Sequence, residues 1–168
     1  SDLKYDIYLT GSNAFLLSSD LATLFTGRYM EIHVYPFSFK EYCAYFDIGS
    51  DYDDHFERYI KLGGLSGSYT YKNDSDKEKY IRDVYDTILI RDLVEKYRLG
   101  SATLLKKVAE YLMDNVSNIS SSRNISNILV ANGTETNYKT VGSYIDHLCH
   151  AFVFYEARRY DVRGKTYL

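Results

Sequence analysis

The sequence predicts an α+β fold that is mainly helical, divided into residues 1–99 and 100–168, and three observations lead there. Two β-rich runs, Tyr5–Thr10 (YDIYLT) and Tyr29–Tyr35 (YMEIHVY), flank a short amphipathic segment and so read as a βαβ piece. Between Ser38 and Tyr97 apolar residues recur at helical spacing. Beyond Gly100 three helical segments precede two strand-like stretches, the order of a winged helix-turn-helix.

The first run ends at a turn cluster, Thr10-Gly11-Ser12-Asn13. Ser19 can cap a helix over Asp20–Phe25, where Leu21, Leu24 and Phe25 share a face. Two parallel strands do not make a stable sheet, so the remaining strands are expected before Ser1. Ser38-Phe39-Lys40-Glu41 is a capping box that opens a helix running to about Phe46. Asp51–Leu62 reads as the next helix, with Tyr52, Phe56, Tyr59 and Ile60 on one side and Gly63-Gly64 as its stop. Leu65–Asp74 is a loop. Lys77–Tyr97 then reads as one long or bent helix carrying Tyr80, Ile81, Val84, Tyr85, Ile88, Leu89, Leu93, Val94 and Tyr97.

Gly100 breaks the chain and Ser101 caps the following helix, Ala102–Val116. Arg123–Asn132 comes next and stops at Asn132-Gly133. Asn137 caps Tyr138–Phe152, with Val141, Ile145, Leu148, Cys149 and Phe152 inward and Tyr138, Lys139, Ser143, Asp146 and His147 outward. Phe152–Glu156 and Lys165–Leu168 are strand-like and joined by a turn around Asp161–Gly164.

Composition narrows the function classes. The chain has 168 residues, 45% of them apolar and 26% charged, which is ordinary for a globular protein. No apolar run approaches the ~20 residues of a bilayer crossing, and there is no secretory leader. No membrane partner is expected. Cys43 and Cys149 are far apart and read as reduced thiols in a cytoplasm. A net charge of −3 argues against a general nucleic-acid binder, although Arg158, Arg159, Arg163 and Lys165 crowd the C-terminus. The 19 Tyr against no Trp suit cores and interfaces whose polar tips find partners.

Two segments carry candidate chemistry. Asn13 lies just beyond a β-run, where open α/β sheets bind ligands, and an amide there can orient a water on a γ-phosphate; the competing reading is a plain turn. Arg28 in Thr26-Gly27-Arg28 can serve as an arginine finger or simply satisfy a helix C-terminus. Arg163-Gly164-Lys165-Thr166 ends like a phosphate loop, but the first glycine would fall at Arg159, so the motif fails. Neither His147/Cys149/His150 nor Asp53/Asp54/His55/Glu57 has metal-site spacing, and no metal is expected. On the last helix Lys139 and Ser143, with Arg163 and Lys165 beyond it, are the candidate DNA contacts, although Asp146 would repel phosphate.

The runs Asp6–Asn13, Ser18–Thr23, Thr26–Tyr29, Tyr35–Tyr42, Tyr85–Val94 and Arg158–Lys165 closely resemble the prokaryotic AAA+ ATPases in which a winged helix and a nuclease-like domain follow the ATPase domain. By that resemblance residues 1–99 are the C-terminal part of the AAA+ module, its last core strands and helical lid, and 100–168 the winged helix. Asn13 would be the sensor-1 residue and Arg28 the arginine finger, acting on a neighbouring ATPase subunit. Such ATPases usually show Gly-Gly-Leu-Pro or Gly-Gly-Phe-Pro where this chain has Gly63-Gly64-Leu65-Ser66, which leaves a lid contact to the nucleotide in question. The phosphate loop and the magnesium-binding acidic strand would precede Ser1. ATP and Mg are therefore expected in the parent protein and none in this segment, which would not hydrolyse ATP alone. The rival readings are a winged-helix DNA-binding regulator and a protein-interaction scaffold.

Overall fold

The computed structural model describes residues 6–8, 29–30, 32–158, 160–161 and 166–167. Two compact units separate between Asp92 and Leu93.

The unit over residues 32–92 is built on aromatic rings. Helix α1, Phe39–Tyr45, starts from the expected capping box. The Ser38 amide donates to Glu41 Oε2 at 2.8 Å, and the Glu41 amide donates to Ser38 Oγ at 3.3 Å. Helix α2, Tyr52–Leu62, crosses against it through Phe39, whose ring stands 5.0 Å from Phe56 and 5.5 Å from Tyr59. A 3-10 turn, Ser66–Thr70, then brings Tyr69 against Phe37, Tyr42, Tyr45 and Phe46. The hydroxyls at the edge of this cluster are bonded: Tyr59 donates to the Phe37 carbonyl and Tyr69 to the Gly63 carbonyl.

Glycine is required where α2 ends. Gly63 takes φ +68°, a left-handed conformation that costs a side-chain-bearing residue. At Gly64 the backbone runs against Phe37: the Phe37 amide donates to the Gly64 carbonyl at 2.7 Å, and a Cβ on Gly64 would strike the Phe37 carbonyl.

Helix α3, Asp74–Asp86, passes into a π-helical segment, Thr87–Val94, and a last α-turn, α4, Glu95–Tyr97. The periodicity of Lys77–Tyr97 thus marks helix throughout, with a change of winding inside it.

The unit beginning at Leu93 is a bundle of α5 (Ala102–Asp114), α6 (Ser122–Ala131) and α7 (Tyr138–His150). Each start is capped by the side chain before it: Ser101 accepts from the Leu104 amide, Ser121 from Asn124, and Asn137 from both Lys139 and Thr140. The core is Leu105, Val108 and Ala109 of α5, Ile125 of α6, and Val141 and Leu148 of α7, all with no exposed surface. Burial at these positions is what holds short helices together, because isolated helices of this length are marginal. Antiparallel strands β1 (Tyr160–Asp161) and β2 (Thr166–Tyr167) pair Tyr160 with Tyr167 and Asp161 with Thr166.

The expected α+β architecture is overturned: the described chain is helical, and no βαβ piece is found in it. Among the described residues the only strands are those two-residue segments. Residues 6–8, 29–30 and 32–36 form no strand, and Ile7, Ile32 and Val34 stand 81%, 65% and 90% exposed. Alternating Tyr, Ile and Val fit a pleated, half-buried surface, but that composition makes a strand only where a partner edge supplies the ladder. The expected helix Asp20–Phe25 lies outside the described residues. Phe152–Glu156 is not a strand either: Phe152 takes φ +57° in a turn, and the partner of Thr166–Tyr167 is Tyr160–Asp161.

Candidate functional site

Of the residues singled out by sequence, Asn13, Arg28, Arg163 and Lys165 lie outside the described residues. Lys139 and Ser143 are placed, one turn apart and exposed on α7. The Asn137 cap fixes the start of that helix, and Val141, Tyr144 and Leu148 turn inward, leaving Tyr138, Lys139, Ser143, Asp146 and His150 outward.

Arg123 extends this edge and was missed in the sequence. Its guanidinium lies 5.3 Å from the centre of the Tyr138 ring, so a second cation, from α6, stands at the same helix start that carries Lys139. Close approach of α6 and α7 places it there. A Cβ on Gly142 would meet the Ser122 side chain at 3.6 Å, an ordinary contact distance that marks how near the two helices run. Fifteen residues separate Arg123 from Tyr138 along the chain, and no local spacing rule signals such a pair.

His147 does not face solvent as the helical spacing suggested. Its ring stacks on Tyr97 with centroids 3.7 Å apart and planes 14° from parallel, and its Nε2 meets Ser143 Oγ at 3.2 Å. Burial pushes the imidazole below its ordinary value; the neighbouring His150 adds to this and Asp146 opposes it. His147 Nδ1 and the Tyr97 hydroxyl are buried without a hydrogen-bond partner. Ser143 is thus tied to His147 while it remains exposed. Cys149 is half-buried, and its thiol is pushed up by burial and by Glu156 and Asp146, which makes it a poor nucleophile. Among the described residues no three His, Cys, Asp or Glu side chains gather as a metal-ligand set.

In the unit over residues 32–92 the strongest ionic feature joins α2 to the start of α3. Arg58 Nη2 and Lys77 Nζ both reach Asp74 Oδ1, at 2.7 and 3.3 Å. The two cations hold the Asp74 carboxyl below its ordinary range, Arg58 foremost, so the carboxylate stays charged at neutral pH.

These features define a helical protein whose last three helices present a modestly basic, aromatic corner. Residues 53–168, more than half of the chain, match the family described as Domain of unknown function (DUF8612), and the chain belongs to that family. Residues 1–43 match an AAA domain, so the beginning of the chain is AAA-like. The chain is similar to an uncharacterized protein of Haemophilus influenzae, 39% identical over 97% of this chain and 41% of the relative. It is also similar to one of Methanocaldococcus jannaschii, 23% identical over 99% of this chain and 40% of that protein. The chain therefore spans about two fifths of the curated relatives it matches. No solved structure matches it. Among the described residues no helix is long and apolar enough to cross a membrane.

Proposed function

We propose that this chain is the part of an AAA+ type ATPase that senses the nucleotide and carries a helical lid and an interaction module. The observation behind this reading is the succession of an AAA-like segment, residues 1–43, by a helical unit and then a three-helix unit. In this reading Asn13 positions the attacking water and Arg28 offsets charge on the transferred phosphoryl group of a neighbouring subunit. ATP and Mg are held by the longer protein. This chain contains no Gly-x4-Gly-Lys-Ser/Thr loop, and a catalytic amide and guanidinium cannot position a triphosphate by themselves. The 100–168 region serves the machine as a winged helix, docking a client or nucleic acid.

ATP hydrolysis by the full-length protein tests this. Asn13→Ala and Arg28→Ala should each lower kcat by about 100-fold or more while ATP still binds. Full turnover in both variants removes the reading.

A second reading, DNA contact through α7, is favoured by one observation: Arg123 joins Lys139 beside the exposed Tyr138 ring. Phosphate contacts by these cations predict binding that weakens steeply with salt and a salt slope reduced by about one for each cation removed. Binding that is absent at low salt, or unaffected by Arg123→Ala and Lys139→Ala together, eliminates it.

A further inference from the structure

A cavity of about 230 Å³ opens within the unit over residues 32–92, between α1, α2, the 3-10 turn and α3. Its volume equals that of about seven to eight liquid waters. Its lining includes the rings of Tyr42, Phe46 and Tyr69 together with Arg58, Lys77 and His55.

Arg58 and Lys77 converge on a single oxygen of a single carboxylate, Asp74 Oδ1. The nearby Lys61 and Glu78 pair with each other at 3.2 Å. Lys77 is only 8% exposed, an unusual position for an ammonium. A guanidinium carries five N–H donors and an ammonium three, so one shared oxygen leaves most of that capacity uncommitted. An enclosed ammonium is costly unless it is paired, and Lys77 beside the half-exposed Arg58 at the wall of an aromatic cavity suits a carboxylate.

We propose that this cavity binds a small aromatic carboxylate, its ring against Tyr42, Phe46 and Tyr69 and its carboxylate on Arg58 and Lys77. The planar fork of Arg58 suits a carboxylate bidentately. The aromatic rings already meet at tilted and edge angles, Phe46 and Tyr69 at 5.1 Å and 65°, and offer a further ring the same favourable arrangements. Phosphate has no ring to set against Tyr42, Phe46 and Tyr69. This site is independent of any role in ATP hydrolysis.

Benzoate, benzamide and inorganic phosphate are the probes, each titrated into the intact chain and followed by chemical shifts of the Tyr69 and His55 rings. Benzoate should give saturable shifts below about 10 mM, whereas benzamide and phosphate should not. Arg58→Gln, at a half-exposed position, and Lys77→Met should each weaken benzoate by about tenfold or more. Ile119→Ala, 94% exposed in the other unit, should bind as the parent does. The proposal is overturned by benzamide or phosphate matching benzoate, by no saturation with benzoate, or by a folded Arg58→Gln variant that binds benzoate undiminished.

Discussion

The Tyr97 ring lies flat on the His147 imidazole, 3.7 Å away and within 14° of parallel, and so fastens the turn after the π-helical segment to the last helix of the bundle. Burial in this contact favours the neutral imidazole. Protonation would place a cation beside His150, with His147 Nδ1 already lacking an acceptor.

This sets a pH dependence. The folded value of His147 lies below the ordinary one, near 6.5. Its stabilising contribution is fully present above that ordinary value and is lost as pH falls through the folded one, because the unfolded chain takes up the proton first. The thermal midpoint of the bundle should therefore drop on acidification below about pH 6.5. His147→Gln should flatten that segment of the profile, and a mutant with an unchanged slope would show that another group is responsible.

Tyr69 makes the opposite case at high pH. Burial in its aromatic cluster, with Tyr59 and Tyr42 adding to the effect, pushes the phenol up to about 12. The folded state retains the proton, so stability is intact below the ordinary phenol value near 10 and is lost as pH rises through the folded one. Ultraviolet titration of tyrosinate should show a few phenols ionising late, Tyr59 and Tyr97 among them, and Tyr69→Phe should remove the last step.

Gly64 is demanded by space rather than by φ. Gly64→Ala drives a methyl into the Phe37 carbonyl and should cost roughly 1–3 kcal/mol in denaturant unfolding. Gly49→Ala, whose Cβ would meet nothing within 4 Å, should be close to neutral.

Two helix caps in the bundle can be compared directly. Ser101→Ala should cost about 1 kcal/mol, whereas Ser101→Gly should cost only a few tenths. Asn137→Ala frees two amides instead of one and should cost at least as much, read as a shift in the urea midpoint at constant slope.

The core and the surface of the bundle should separate clearly. Leu105→Ala and Leu148→Ala each empty a fully enclosed site and should cost about 2–5 kcal/mol. Ile119→Ala, 94% exposed, should stay within about 0.5 kcal/mol.

Local chemistry was readable in the sequence. The Ser38–Glu41 box, the Ser101 and Asn137 caps and the Gly63 stop each depend on residues within a few positions, and all stand where their spacing places them. Helical periodicity likewise marked each long helix among the described residues to within a few residues at each end. Strands were misread for the converse reason. A ladder is made between segments, so Tyr29–Tyr35 could advertise β-propensity without showing an edge to pair with.

The sequence by itself thus determined where helices begin, where they stop, and most of the apolar positions they bury, because those choices are settled within a turn or two of backbone. Tertiary structure alone decided that Arg58 and Lys77 share one oxygen of Asp74, that Arg123 sits on Tyr138, and that His147 turns in to Tyr97. Each of these partnerships joins two helices, and the last ties positions fifty residues apart. Each exists only once packing has brought its partners within reach.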